Sequence, residues 1–555
     1  MPGGRRSPID RAARELAQVR RHVGLDRRLS LDEAIHIARG ISRRDFLRFG
    51  GTAAAGLLLA GCEGKPSAEP LPPPADHDGP CVVIVGAGLA GMTAAYRLQQ
   101  AGVACSVFES RDRVGGRCWS AREFAGGQVA EHGGEFVDTR HVHLRLLAEE
   151  LGLELDDLWA SWVPGSTWLN FVNGQLVKPG ELFDEIDAAV TSVMRLARSS
   201  SYFASEASPE MRAFDEMTEA EWYEANVGLL GSPAYRLWAA RQAGWYGLDP
   251  ERLGAASLID FYAIDYPGGD ERYTIQGGND QVPGRILDEL PEGTVTLEAS
   301  LVGLLARDDG TVELRFDGVA APVVADRVIL TVPFPALGEV DLDDAGFSPE
   351  LRRAIDELGM GTNAKVLLQF DRPFFTGFGN WSGGMQRGDD PAFGTWESGS
   401  TDGGKLGLLT VYSGGEVGAG YPGVEPHELA SSSVVEDTLA AIDEVVPGVS
   451  GSFTGVAWLD LWIRDPWVRG SYAAFLPGQI TGFFGTLAEP QGTVHIAGEH
   501  TSVFSQGYLN GGVESGSRAA AEVLEALGKP LPPGLVRTFE AAERYRPVYP
   551  WASAG

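Results

Sequence analysis

The sequence predicts an α/β fold, and one connected set of observations predicts it. A β-branched run, Val82-Val83-Ile84-Val85, enters Gly86-Ala87-Gly88-Leu89-Ala90-Gly91, a G-x-G-x-x-G turn. Ala90, Ala94, Ala95 and Leu98 then keep helical spacing until Gly102 closes the helix. A second strand pattern, over residues 103–108, ends on an acid, Glu109. Strand, glycine turn, helix, strand and terminal acid together read as a Rossmann-type dinucleotide site. Gly86 allows the tight turn, Gly88 lets a pyrophosphate approach the backbone, and Gly91 lets the helix pack on the strand. The helix N-terminus offers N–H groups and a positive dipole end to phosphates. The Glu109 carboxylate can accept hydrogen bonds from a ribose.

The next residues choose the dinucleotide. The stretch from Glu109 holds Arg111 and then Arg113-Val114-Gly115-Gly116-Arg117. It resembles the R-x-G-G-R extension of the FAD-dependent amine oxidases. The resemblance implies FAD, with Arg111, Gly115, Gly116 and Arg117 at its pyrophosphate and ribityl chain, where a guanidinium binds bidentately.

The 555 residues are too many for one core and suffice for two interleaved domains with extensions. A hydrophobic content of 44% and 13 Trp place the chain among globular proteins, despite 73 Gly. Net charge is −31, and it is uneven: residues 1–61 hold 12 Arg against six Asp and Glu, leaving −37 on the remainder. Such a body repels nucleic acid and anionic membrane and mildly concentrates cations. The four cysteines, Cys62, Cys81, Cys105 and Cys118, show no C-x-x-C or Cys/His metal spacing, so no metal is expected. Cys81 and Cys105 read as small thiols on neighbouring parallel strands.

Residues 1–41 read as a basic helical leader, with Pro8 opening one helix and Ser30-Leu31-Asp32-Glu33 a capping box for a second. Ser42-Arg43-Arg44-Asp45-Phe46-Leu47-Arg48, followed by an uncharged apolar run, resembles a twin-arginine export signal. That run is too short to span a bilayer as a mature helix. It ends in Leu59-Ala60-Gly61-Cys62, which resembles a lipobox with Cys62 as the lipidated residue. The expectation is export and a lipid anchor on the outer face of the bacterial cytoplasmic membrane or in the periplasm. A Pro-rich tether follows.

Beyond the glycine loop, Glu131-His132-Gly133-Gly134-Glu135-Phe136-Val137-Asp138 resembles the amine oxidase segment whose Gly-Gly lies beside the flavin. Residues 141–270 read mainly as helices, at 141–151, 179–199 and 218–227, with a concentration of Trp. Glu271 to Asp280, through Gly277-Gly278, matches the family's return to the FAD domain. Residues 294–305 and 311–316 alternate like strands, with Val302 at the family's adenine-contact position, and residues 327–333 read as a buried strand. The chain returns once more at Val494-His495-Ile496-Ala497-Gly498-Glu499-His500-Thr501, and residues 511–527 supply the last helix.

Over roughly residues 80–528 the chain thus resembles the flavin-containing monoamine oxidase and polyamine oxidase family. The implied architecture is a discontinuous Rossmann-type FAD-binding domain with a mixed helical and β-sheet substrate domain. Its parts are a leader (1–61), a tether (62–80), FAD segments at 81–140, 271–334 and 488–528, a helical substrate part (141–270), a sheet part (335–487) and a tail (529–555).

Three dispersed matches carry the chemistry. Gly361 to Phe375 resembles the family's lysine strand, which puts Lys365 through water at flavin N5. Trp467-Val468-Arg469-Gly470-Ser471-Tyr472 and Gly507-Tyr508-Leu509-Asn510-Gly511 match the segments supplying its aromatic cage, Tyr472 and Tyr508. The catalytic set implied is therefore Lys365, Tyr472 and Tyr508. The cofactor set is Gly86, Gly88, Gly91, Glu109, Arg111, Gly115, Gly116, Arg117, Gly133, Gly134, Val302, Gly498, Glu499 and Leu509. Ser471 stands where monoamine oxidases attach flavin through cysteine, and a hydroxyl cannot make that thioether, so FAD is expected to be noncovalent.

The implied reaction oxidises a primary or secondary amine to an imine, with O2 reduced to peroxide. Two rivals stand beside it. An L-amino-acid oxidase of the same superfamily needs a cation for the substrate carboxylate; Phe136 occupies the expected arginine position, although Arg464 or Arg469 could serve. A non-catalytic lipid-anchored flavoprotein is disfavoured by Lys365 and the two tyrosines.

Overall fold

The computed structural model describes residues 80–545, apart from 161–162, 179–192, 229, 262–268, 399–403 and 504. The leader, the Arg43-Arg44 pair, Cys62 and the tether lie outside them, as does most of the expected helix at 179–199.

The α/β expectation holds. Val82–Val85 lies at the centre of a five-stranded parallel sheet, flanked by Arg327–Leu330 and Cys105–Phe108; Val494–Ile496 and Val295–Thr296 form the edges. Its strands come from three distant stretches of chain. Alternate side chains leave opposite faces of a strand, and both faces are covered, as a parallel sheet requires. Val82 and Ile84 pack under the helices Leu89–Gln100 and Leu509–Ala526. Val83 and Val85 pack instead with Leu304, Leu314 and Phe334. The two helices meet closely because their contact is built from small residues: a Cβ on Gly516 would lie 2.2 Å from the Ala90 carbonyl oxygen.

The second sheet has eight strands, in the order His427–Leu429, Phe453–Leu461, Ala364–Phe370, Gly407–Ser413, Phe393–Glu397, Trp381–Arg387, Thr167–Val172 and Gln175–Leu176. All seven residues of Ala364–Phe370 are buried. Val366, Leu368 and Phe370 join Leu439 and Ile442 of the helix Ser432–Val445. Lys365, Leu367 and Gln369 face the other way, toward residues 121–135.

Two segments differ from the expected helix and tail. Residues 141–270 are not all helical: Thr167–Val172 and Gln175–Leu176 make a hairpin on the large sheet. Its turn is Asn173-Gly174, both with positive φ (55° and 70°), the residues a two-residue hairpin favours. The Pro-rich tail carries a helix, Pro533–Glu543, packed on Val142–Glu150 with Leu535 fully buried. Pro532 and Pro533 start it, a role proline fills at a first turn. Among the described residues Cys81, Cys105 and Cys118 are free thiols. Among the described residues no helix is long and apolar enough to cross a membrane.

Candidate active site

At the phosphate end, the helix Leu89–Gln100 begins at Gly88, which supplies no side-chain cap. Among the described residues a Cβ built on Gly88 meets nothing within 4 Å, whereas one on Gly91 would lie 1.9 Å from the Gly86 carbonyl oxygen. One glycine therefore leaves open space in front of the helix N-terminus, and the other permits close packing. Gly86 has φ 98°, Gly115 pairs with Gly88, and Gly116 packs on Gly88.

Arg113 donates to the Gly116 carbonyl at 3.0 Å and lies 4.3 Å over the Trp119 ring, while its buried Nη2 has no partner among the described residues. Burial, with Arg111 adding, lowers its pKa to about 10. An uncapped helix start, open space and an orphaned guanidinium N–H suit the pyrophosphate of FAD. Arg113 was absent from the sequence-derived set, although it is the first arginine of the R-x-G-G-R motif itself.

Glu109 accepts from the Ala87 N–H (2.7 Å) on one oxygen and the Arg111 N–H (2.9 Å) on the other. Burial raises its carboxyl, and these N–H groups partly offset the rise. Each oxygen keeps a lone pair for a ribose hydroxyl. The Arg111 guanidinium is paired with Asp465. Val302 is 46% exposed on the strand Leu301–Ala306, and nearby the backbones of Glu298 and Ala299 bond to Arg111 and Glu109.

The Gly-Gly turn and the lysine form one unit. A Cβ on Gly133 would lie 1.8 Å from the Arg117 carbonyl oxygen, and one on Gly134 would lie 2.6 Å from Leu509. Lys365, 4% exposed, donates to the Glu131 and Gly133 carbonyls, both at 2.8 Å, and to Glu135 Oε2 at 2.9 Å. Two carbonyls and a carboxylate only accept, so the nitrogen donates three times, as only the ammonium form can. The other Glu135 oxygen accepts from Trp396 Nε1 and Ser398 Oγ, both at 2.8 Å.

Behind the turn, His132 shares Asp460 with His427, at 2.9 and 2.8 Å, and His427 continues to Asp465 at 3.1 Å. Burial opposes protonation of His427, but its bonds to Asp460 and Asp465 outweigh it and raise its pKa. The chain of charges ends on Arg111, so it ties the Gly-Gly stretch to the nucleotide loop through the large sheet.

Glu499 gathers the remaining parts. It accepts from Arg117 Nη1 (2.8 Å), the Ala473 N–H (3.2 Å) and the Gly507 N–H (2.8 Å). Ala473 and Gly507 adjoin Tyr472 and Tyr508, so one carboxylate positions both tyrosine segments against the nucleotide loop. Burial works to raise its carboxyl, and Arg117, His500 and the Gly507 N–H together hold it below the usual range. A Cβ on Gly507 would lie 3.3 Å from the Tyr472 ring, so the glycine seats that ring beside Tyr508.

Tyr472 donates to the Trp245 carbonyl at 2.8 Å and lies 3.1 Å from the Tyr412 hydroxyl. The Tyr508 ring packs 4.8 Å from His141. Burial pushes both phenols well above their ordinary range. Tyr412 leads through Trp396 (5.4 Å) to Phe136 (5.3 Å), an aromatic wall running from the tyrosines to the Lys365–Glu135 pair. Glu135, Trp396 and Tyr412 were also absent from the sequence-derived set. Glu135 had a signal, an acid directly after Gly-Gly; the two aromatics had none, because strand pairing alone aligns them. Gly498 follows the edge strand at φ 126°, with Ser515 Oγ bonded to its N–H.

Comparison with known proteins places the chain in a family. The family model for flavin-containing amine oxidoreductases matches residues 89–524. An L-amino acid dehydrogenase of Synechocystis sp. is 26% identical, over 80% of this chain and 95% of its own. The flavin-containing amine oxidase B of Sus scrofa is 25% identical (81% and 86%), and an L-amino-acid oxidase of Mus musculus 27% (84% and 75%). Cyclohexylamine oxidase from Brevibacterium oxydans shares the fold, with a TM-score of 0.72 at 23% identity, over 81% of this chain and 99% of its own. With a family match across most of its length, this chain is a member of the flavin-containing amine oxidoreductases.

Proposed function

We propose that this flavin enzyme oxidises a primary or secondary amine seated between Tyr472 and Tyr508, with Lys365 acting at the cofactor. The observation that carries the reading is the convergence on one nucleotide loop: Lys365 binds the Gly133 turn, and Glu499 bonds beside both tyrosines and to Arg117. Bound along Gly88, Arg113, Arg117 and Gly133, FAD supplies the two-electron acceptor for the hydride equivalent of the amine α-carbon. The tyrosine faces orient the amine and exclude water. With dioxygen as acceptor the reaction balances. The amine gives up the hydrogen on its α-carbon and one on nitrogen, a carbon–nitrogen double bond forms, and dioxygen takes both protons and both electrons to become hydrogen peroxide. Water then hydrolyses the imine to a carbonyl compound and ammonia or, from a secondary amine, a smaller amine.

Arg464 and Arg469 are both exposed, bonded to the Tyr421 carbonyl and to Glu339. Arg469 is charge-paired with Glu339, whereas Arg464 gives only one N–H to a carbonyl, so an amino acid stands as the alternative that the test must separate. The test is a panel of amines and amino acids, followed by peroxide release and by an artificial electron acceptor. Turnover of amino acids alone overturns the substrate class; turnover of neither class, with FAD bound, overturns the enzymatic reading.

Ser471 Oγ donates to Asn363 Oδ1 at 2.6 Å and has no thiol to offer, so FAD is held without a covalent bond. Acid precipitation is expected to leave the yellow cofactor in the supernatant; flavin retained by the washed pellet contradicts this.

Export and anchoring through the leader remain part of the proposal, supported by the Arg43-Arg44 and Leu59-Ala60-Gly61-Cys62 motifs. Replacing both arginines with lysine should hold the protein in the cytoplasm, and Cys62→Ser should release it from the membrane fraction. Unchanged fractionation of both variants removes the claim.

A further inference from the structure

We propose that Glu135 is the fixed counter-ion of Lys365, so that the protein presents an ammonium–carboxylate pair of zero net charge, rather than a free cation, to the cofactor. This rests on the placement of Lys365 at the flavin, and it names a residue that controls electron release to the acceptor. Glu135 acts by charge and position and touches no reacting atom.

The geometry separates this pair from a surface salt bridge. The Lys365 and Glu135 side chains are 5% and 7% exposed, so water does little to screen them. All three lysine donors are engaged, two by carbonyls that fix the nitrogen at the Gly133 turn, which leaves none for the water that the resemblance placed between Lys365 and flavin N5. The carboxylate is equally constrained. Trp396 and Ser398 hold Oε1, and Ser398 is itself 2.6 Å from Thr410 Oγ1. Strands Phe393–Glu397 and Gly407–Ser413, which supply Trp396 and Thr410, belong to the same sheet as the lysine strand. Neither charge can swing away without breaking hydrogen bonds in a buried site, which is costly.

A fixed cation beside a flavin favours every state in which negative charge accumulates there, and a rigid dipole does so far less. Electron transfer to dioxygen also builds negative charge next to the ring. The paired carboxylate therefore lowers the reduction potential and slows reoxidation by O2, relative to the same site with an unpaired lysine.

The experiment compares holoenzymes with FAD reduced photochemically, so no substrate is needed. Potentials are read against reference dyes, sulfite binding from the flavin spectrum, and reoxidation by stopped flow. Glu135→Gln leaves the lysine uncompensated. It should raise the two-electron potential by at least about 30 mV, the equivalent of tenfold, with sulfite affinity and O2 reoxidation rising by roughly tenfold or more. Lys365→Met leaves the carboxylate alone and should shift all three the opposite way. The Glu135→Gln/Lys365→Met double variant is neutral again and should return within about 30 mV of wild type. Glu135→Asp, which keeps the charge, should stay near wild type.

Should Glu135→Gln fail to fold, the double variant against Lys365→Met still decides the matter. Wild-type potential and reoxidation in Glu135→Gln, or no rise from Lys365→Met to the double variant, overturns the proposal. An ordered series of potentials in a protein that no amine reduces would sink the amine reading alone and leave this inference standing.

Discussion

Lys365→Met is expected to lower oxidase turnover by about 10²–10³-fold, the usual loss when a preorganised charge is removed from a reacting centre. Stopped flow should show the larger part of the loss in the oxygen half-reaction, because that step builds negative charge beside the ammonium. By size alone, methionine is a close match for the lysine stem, and packing would survive the exchange. The ion pair changes that expectation: Glu135, 7% exposed on its side chain, is left as a buried carboxylate without its cation. Breaking a buried pair from one side costs roughly 3–5 kcal/mol, so the variant should also melt at a lower temperature. Adding Glu135→Gln should recover the melting temperature. Wild-type rates in both half-reactions would mean that Lys365 is a structural lysine and that the site is misplaced.

The second large effect belongs to Glu219. It opens the helix Glu219–Asn226, is fully buried, and has Gln242 Nε2 on its two oxygens at 3.1 and 2.9 Å. Burial raises its pKa from 4.5 to about 8; the Gln242 bond lowers it and Glu251 raises it further, both less than burial. A raised folded pKa means that its contribution to stability is complete below about 4.5 and is lost as pH rises through about 8. Across that window the loss is on the order of 4–5 kcal/mol at most. Glu219→Gln removes the titration while keeping the shape. The variant should therefore gain melting temperature over wild type as pH rises from 5 to 8, and show little gain at pH 5. A constant difference across that range would show that Glu219 does not titrate as its burial requires.

What the sequence determined by itself was local, or repeated in short order. Val82 to Glu109 specifies strand, turn, helix and strand within 28 residues, and each glycine role follows from the spacing alone. The motifs around Lys365, Tyr472 and Tyr508 were legible through family resemblance, because each is a contiguous run. The Asn173-Gly174 turn was equally local, but residues 141–270 read mainly as helices and the turn was not picked out.

Tertiary structure decided whatever depends on residues far apart in the chain. Glu135 meets Lys365 across 230 positions and Trp396 across 261. Glu499 reaches back 382 positions to Arg117. No period or spacing encodes such pairs; they follow from strand register, which sets the face on which Lys365, Trp396 and Tyr412 emerge. Charge is settled in the same way. An isolated lysine or glutamate in a sequence is a solvated ion, and only its burial beside a particular partner makes the two a neutral pair.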